Sequence, residues 1–179
     1  DSIAIYFWPD FLRDFLPKYP RLNLDLTTDR SATIQEQVEK GVLDLGLIIE
    51  PQKGLNTEVI YLKQDKFQFY QSVDPAPVYP DVESAPLVFM PDALAGADKV
   101  RLFKTHPSLE SSNTRKMYRT SSLESTKELL LKGIGVALLP EMVARGDLNA
   151  KKIRKVNLDG FPEDCVGSHK VGIIYPKHK

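Results

Sequence analysis

The chain uses the same short pattern twice: an amphipathic stretch, a glycine, then an apolar run. It reads QEQVEKGVLDLGLII at 35–49 and KELLLKGIGVALLP at 127–140. Glycine reaches the left-handed conformation without a steric cost, so it can end a helix and turn the chain directly into a strand. Short hydroxyl residues precede both stretches, with Thr33/Glu36 and Ser121/Glu124 at capping-box spacing. A repeated helix–strand unit of this kind dictates an α/β fold. Two copies, with no break in composition between them, fit two similar lobes better than one continuous sheet.

The remaining elements are read from periodicity. Ile5, Trp8, Leu12, Phe15 and Tyr19 recur at helical spacing, with Asp10, Arg13, Asp14 and Lys18 off the stripe and Ser2 as N-cap, which predicts a helix over 3–19. Ile3 to Trp8 is equally good strand material, and Pro9 cannot donate a backbone hydrogen bond. A strand followed by a helix from Pro9 is therefore a rival on local pattern. Leu22, Leu24 and Leu26 alternate with polar neighbours as in a half-buried strand. A helix over 32–40 and a strand over 42–49 follow, and strand, helix, strand predicts a right-handed parallel unit. Beyond a Pro/Gly/Asn loop at 51–58, two strand segments, 59–62 and 66–70, flank the polar trio Gln64, Asp65 and Lys66. Prolines at 75, 77, 80, 86 and 91 leave only a short buried strand over 87–90. Further strands are predicted at 117–120, 135–140, 153–158 and 171–175. A helix opens after Pro140 and stops at Gly146.

Charge and chemistry narrow the function by exclusion. The 179 residues hold 24 Lys/Arg and 24 Asp/Glu, so the chain lacks the basic excess that phosphate-backbone binding needs. Residues 1–60 carry six Lys/Arg against ten Asp/Glu, and the rest carry eighteen against fourteen. Lys99 to Arg119 has six basic residues and one acid, Glu110, which reads as a solvated helix and loop. The single cysteine, Cys165, excludes an internal disulfide and a multi-thiolate metal site. No apolar run approaches the roughly 20 residues of a membrane span. With no leader at its start, the chain is expected in the cytoplasm. There is no G-x-S-x-G, and His106, His169 and His178 show no metal-ligand spacing. Gly133 and Gly135 follow a helix, where a dinucleotide motif would precede one. No catalytic residue, metal or cofactor is expected. What remains is a set of hydroxyl residues at inferred helix starts: Ser2, Ser31 with Thr33, and Thr120, Ser121 and Ser122. Helix starts carry unpaired N–H groups and partial positive charge, which suit a carboxylate or other small anion. Each hydroxyl can equally be a plain structural cap.

Four segments carry a resemblance to a known family. They are SIAIYFWPDFLRDFLPKYPRLNLDL, EQVEKGVLDLGLI, the proline-rich strand–loop region after it, and SSLESTKELLLKGIGVALLP. In this order they resemble the effector-binding domain of LysR-type transcriptional regulators. The resemblance implies two Rossmann-like lobes with a hinge and an interlobe cleft, the type 2 periplasmic-binding-protein-like architecture. Lobe I would be residues 1–64 plus 161–179 and lobe II residues 65–160, with crossings near Gln64–Lys66 and Asp159–Phe161. It favours helix over strand for residues 3–19. It places a small-molecule effector, an anionic metabolite, against Ser2, Ser31, Thr33, Pro91, Thr120, Ser121 and Ser122. It also implies a homodimer or tetramer through residues 3–19 and 123–132, no membrane contact, and DNA contact only through an N-terminal winged helix-turn-helix outside these residues. By the same comparison a strand is expected before Asp1 and a helix after Lys179. A stand-alone solute-binding protein of a transporter shares the architecture and is the alternative. An enzyme on this scaffold would need an acid or base in the cleft. Asp29 and Glu124 are the nearest candidates, and loop charge and capping already explain both.

Overall fold

Helix formation at the start of the chain is governed by two prolines that fall where their missing N–H does no harm. In this computed structural model, which describes residues 2–93, 115–161, 163 and 166–177, helix α1 spans Ser2–Tyr6 and α2 spans Trp8–Phe15, followed by a 3-10 turn at Leu16–Lys18. Pro9 lies in the first turn of α2 and Pro17 in that of the 3-10 turn, where an N–H would have no intrahelical partner. Phe7, Phe11, Phe15 and Tyr19 fall on one face, their ring centroids 6.1, 5.1 and 4.5 Å apart in succession.

The other elements are α3 (Ser31–Glu39), β1 (Gly46–Ile49), β2 (Thr57–Ser72), β3 (Leu87–Phe89), β4 (Met117–Arg119), α4 (Leu123–Leu131), β5 (Val136–Pro140), α5 (Glu141–Asn149), β6 (Ile153–Val156) and β7 (Gly167–Pro176). The chain divides into two compact units, Asp1–Gln64 with His169–Lys179, and Asp65–Ser168. Strands β2 and β7 each run from one unit into the other.

In the first unit β1 pairs antiparallel with β7, Gly46 opposite Ile174, and the first half of β2 lies on the far side of β7. Ile34 and Val38 of α3 close a small core with Ile48 and Ile174. The strand expected at 42–49 is confined to its last four residues, and Val42 and Leu45 are exposed. The strand expected at Leu22, Leu24 and Leu26 does not form, and all three side chains are exposed. A strand exists through ladder bonds to a neighbour, and among the described residues none pairs with this segment. The parallel unit expected there is therefore absent.

In the second unit the rest of β2 pairs antiparallel with β5 on one edge and β6 on the other, and β3 runs parallel to β5 and β4. Phe67, Phe69, Leu87, Phe89, Val136 and Leu138 form its core on one side. Helices α4 and α5 pack on β5, burying Leu123, Leu130, Met142, Val143 and Ala144. Lys127 and Asp147, both largely shielded, bridge these two helices at 2.8 Å.

Three further expectations are corrected. Strand β2 is continuous where two segments were expected, because Asp65 is held without leaving the extended conformation. Its buried carboxylate accepts the Met142 N–H at 3.1 Å and satisfies an amide in the first turn of α5. The return crossing falls at Ser168–His169, later than 159–161. Leu158, Phe161 and Val166 pack in the second unit's core, and the Val166 N–H donates to the Phe67 carbonyl at 2.9 Å. Helix α5 runs through Gly146 to Asn149, since one glycine weakens a helix without ending it. Most of the basic segment, residues 99–114, lies outside the described residues, as do Cys165, His106 and His178.

Two glycines give opposite predictions. Gly146 is exposed, and a Cβ there would meet nothing, so Gly146→Ala should stabilise the fold by about 0.5–1 kcal/mol in chemical denaturation. Gly135 has φ +75° and lies against the Pro86 carbonyl, so Gly135→Ala should cost more than about 2 kcal/mol by the same measurement.

Candidate ligand site

Strands β3 and β4 end side by side, Phe89 opposite Arg119, and the loops leaving their carboxyl ends carry Pro91 and Thr120–Ser122. Ligands collect at such ends in open α/β sheets. Pro91 opens a 3-10 turn, Pro91–Ala93, closed by the Ala93 N–H on the Met90 carbonyl at 3.1 Å. The Thr120 N–H donates to the Phe89 carbonyl at 3.0 Å and extends the ladder one residue past β4. Ser122, in an extended conformation, is the N-cap of α4: its Oγ accepts the Ser125 N–H at 3.0 Å. The N-cap expected at Ser121 thus falls one residue later, at Ser122. Thr120 Oγ1 is engaged inside the loop, 3.0 Å from the Ser122 carbonyl and 2.6 Å from Thr126 Oγ1, whereas Ser121 is exposed. The sequence reading missed Thr126, which is fully buried. Its only signal was its place four residues after Ser122, on the same side of the helix.

The first unit presents a different arrangement. Helix α3 begins at Ser31, with Arg30 as an N-cap that makes no side-chain cap bond. Ser31 Oγ accepts the Ile49 N–H at 3.1 Å, tying the start of α3 to the end of β1, and keeps its own proton to donate. The capping box expected at Thr33 and Glu36 does not form. The helix starts before Thr33, and Glu36 pairs with Lys40, whose hydrogen bond and charge hold the Glu36 carboxyl below its usual range. Ser31, Gln35, Glu36, Glu39, Glu50 and Gln52 line an open recess of about 410 Å³. Its other two carboxylates are also engaged, Glu39 by Gln35 Nε2 at 3.1 Å and Glu50 by the Lys170 N–H at 2.7 Å. Ser2 is buried within α1 and does not line this recess. Pro91 and Thr120–Ser122 therefore come together in the second unit, while in the first Ser31 lines a recess without Ser2.

Among the described residues no three His, Cys, Asp or Glu side chains are grouped to hold a metal, and no helix is long and apolar enough to cross a membrane.

A family model described as the LysR substrate binding domain matches residues 1–179. The chain belongs to this family. Among curated relatives, the HTH-type transcriptional regulator DgdR of Burkholderia cepacia is 26% identical over 150 residues, 83% of this chain and 48% of that protein. The chain spans about half the length of the curated relatives it matches. Among solved structures, the sulfate-bound OxyR2 E204G mutant regulatory domain from Vibrio vulnificus aligns with a TM-score of 0.63 at 18% identity, over 99% of this chain and 84% of that one. The Synechocystis PCC6803 CcmR regulatory domain in complex with 2-PG aligns with a TM-score of 0.63 at 16% identity, over 99% and 85%. The fold is thus that of LysR regulatory domains, of the type 2 periplasmic-binding-protein-like kind.

The capping geometry separates two adjacent serines. Ser122→Ala should cost about 1 kcal/mol of stability, while Ser121→Ala should leave the denaturation midpoint nearly unchanged.

Proposed function

We propose that this chain is the effector-sensing part of a LysR-type transcription regulator and that a small anionic metabolite binds at its hydroxyl-bearing helix starts. The match of the LysR substrate-binding family over residues 1–179 carries this reading. The helix-turn-helix regulators among its relatives favour it over a transporter's solute-binding protein. The sulfate on the OxyR2 domain supports an anion, and the 2-PG on the CcmR domain supports a small-molecule effector.

In this reading the exposed Ser121 hydroxyl and the loop at the start of α4 take the negative charge of the ligand, with Pro91 as a wall. Ser31 donates its free proton from the other unit, which also carries Ser2 and Thr33. The carboxylates of Glu36, Glu39 and Glu50 around Ser31 oppose a second negative charge, so the end of the ligand near Ser31 is neutral, a hydroxyl or an amide. The units act as lobes. Their crossings in β2 and β7 serve as the hinge, and the ligand shifts closure only by its differential affinity for the two arrangements. A winged helix-turn-helix preceding this segment reads the shift on DNA, in the cytoplasm, and the domain itself performs no catalysis. Two copies associate through residues 3–19 and 123–132. The exposure of Ile5, Phe11 and Tyr19 along the first segment supports this pairing.

A thermal-shift and calorimetric screen of organic acids tests the site. A cognate carboxylate at a hundred times its Kd should add about 2.7 kcal/mol of stability. Ser121→Ala should weaken it about tenfold, roughly one charge-assisted hydrogen bond, and Ser31→Ala about fivefold, roughly one neutral hydrogen bond. Stabilisation by cations or neutral compounds alone, or unchanged affinity in both variants, would refute the assignment. For the assembly, Phe11→Glu should convert a dimer to a monomer in analytical ultracentrifugation, and a variant that stays dimeric would exclude this face.

A further inference from the structure

The loop between β4 and α4 is locked at both ends and open in the middle. At one end the Thr120 N–H continues the β3–β4 ladder onto Phe89. At the other, Ser122 Oγ accepts the Ser125 N–H and donates to Ser125 Oγ at 2.9 Å. Between them, Thr120 Oγ1, Thr126 Oγ1 and the Ser122 carbonyl form a triangle with sides of 2.6, 3.0 and 3.1 Å. The two hydroxyls have two protons. One is used between the hydroxyls and the other on the carbonyl, so neither threonine has a proton left for a ligand. The Thr126 N–H reaches the same carbonyl at 3.2 Å. Ser121, exposed between two immobilised neighbours, is the one hydroxyl of the run 120–122 outside this set.

We propose that Thr126 is a positioning residue of the effector site: through Thr120 Oγ1 and the Ser122 carbonyl it fixes the loop that aims Ser121 at the ligand. The proposal rests on the effector reading above. Thr126 is fully buried among the apolar residues that α4 turns toward the sheet, Leu123 and Leu130, and valine keeps its branched shape while removing the hydroxyl. A satisfied buried hydroxyl adds little net stability, so what distinguishes threonine from valine here is the geometry it imposes on the loop.

The test uses the full chain with sodium sulfate as probe, following the Ser121 and Ser122 amide resonances in titrations of ¹⁵N-labelled protein alongside thermal melts. The unmodified protein should show saturable shifts at both amides. Thr126→Val should weaken sulfate at least tenfold with a midpoint within a few degrees of the original, and Thr126→Ser should restore affinity to within about threefold. Thr120→Val, which removes the same bond from the other side, should match Thr126→Val, and the double variant should lose no more than either alone. Equal affinity in Thr126→Val, or a loss in Thr126→Ser as large as in Thr126→Val, would overturn the positioning role and leave the effector reading standing. Saturable shifts that avoid Ser121 and Ser122 in the unmodified protein, or none at all, would overturn the anion site at this loop and the role of Thr126 with it.

Discussion

At the end of α4 the Gly133 and Ile134 N–H groups turn back onto the carbonyls of Leu130 and Leu129, and Gly133 passes through φ +73° to allow it. Two residues later Gly135, also left-handed, lies against the Pro86 carbonyl, which accepts the Val136 N–H at 2.8 Å. A side chain at Gly135 would separate β3 from β5 before their ladder began. Because β5 lies between β2 and β3, the register set at this contact passes to both neighbours and through β3 to β4. A slip of one residue would turn Val136 and Leu138 out of the core they share with Phe67, Leu87 and Phe89.

That register also places the candidate site. The ends of β3 and β4 are level only because the strands pair in parallel with Phe89 opposite Arg119, and this puts Pro91 and the loop 120–122 beside each other. In the first unit one bond performs the equivalent task, as Ser31 Oγ holds the Ile49 N–H and fixes the start of α3 against the end of β1. Both units thus present hydroxyl-bearing helix starts at strand ends, but the surroundings differ. Three carboxylates rim the recess at Ser31, whereas the second loop exposes a serine between two bonded neighbours.

Much of the fold was legible because its signals are local. Gly41 and Gly133 stop helices by their own backbone preference, and Pro140 opens α5 without needing a donor. Apart from the stop read at Gly146 and the two capping boxes, the errors lie where the outcome depends on a neighbour distant in sequence. Leu22, Leu24 and Leu26 alternate as a strand should, yet alternation cannot supply the partner that a ladder requires. The polar trio at 64–66 reads as a break in β2, yet Asp65 stays in the strand and accepts the amide of Met142, far along the chain. At the candidate site the hydroxyl residues were visible as a group, but their separate tasks were not. Ser121 and Ser122 are alike in sequence, and only the bond to the Ser125 N–H makes one of them the cap.

The sequence by itself determined the α/β class, the repeated helix–glycine–strand unit and the hydroxyl residues near both helix starts, because these follow from the conformational limits of individual residues and from periodicity. Only the tertiary structure decided where β2 and β7 pass between the units, which segments have strand partners, and which hydroxyl protons are used internally. The hydroxyl protons are placed by the fold of one short turn, Thr120 to Thr126, whereas the strand pairings and bonds such as Asp65 with Met142 and Ser31 with Ile49 join residues far apart in the chain, and no local pattern encodes the distance that closes them.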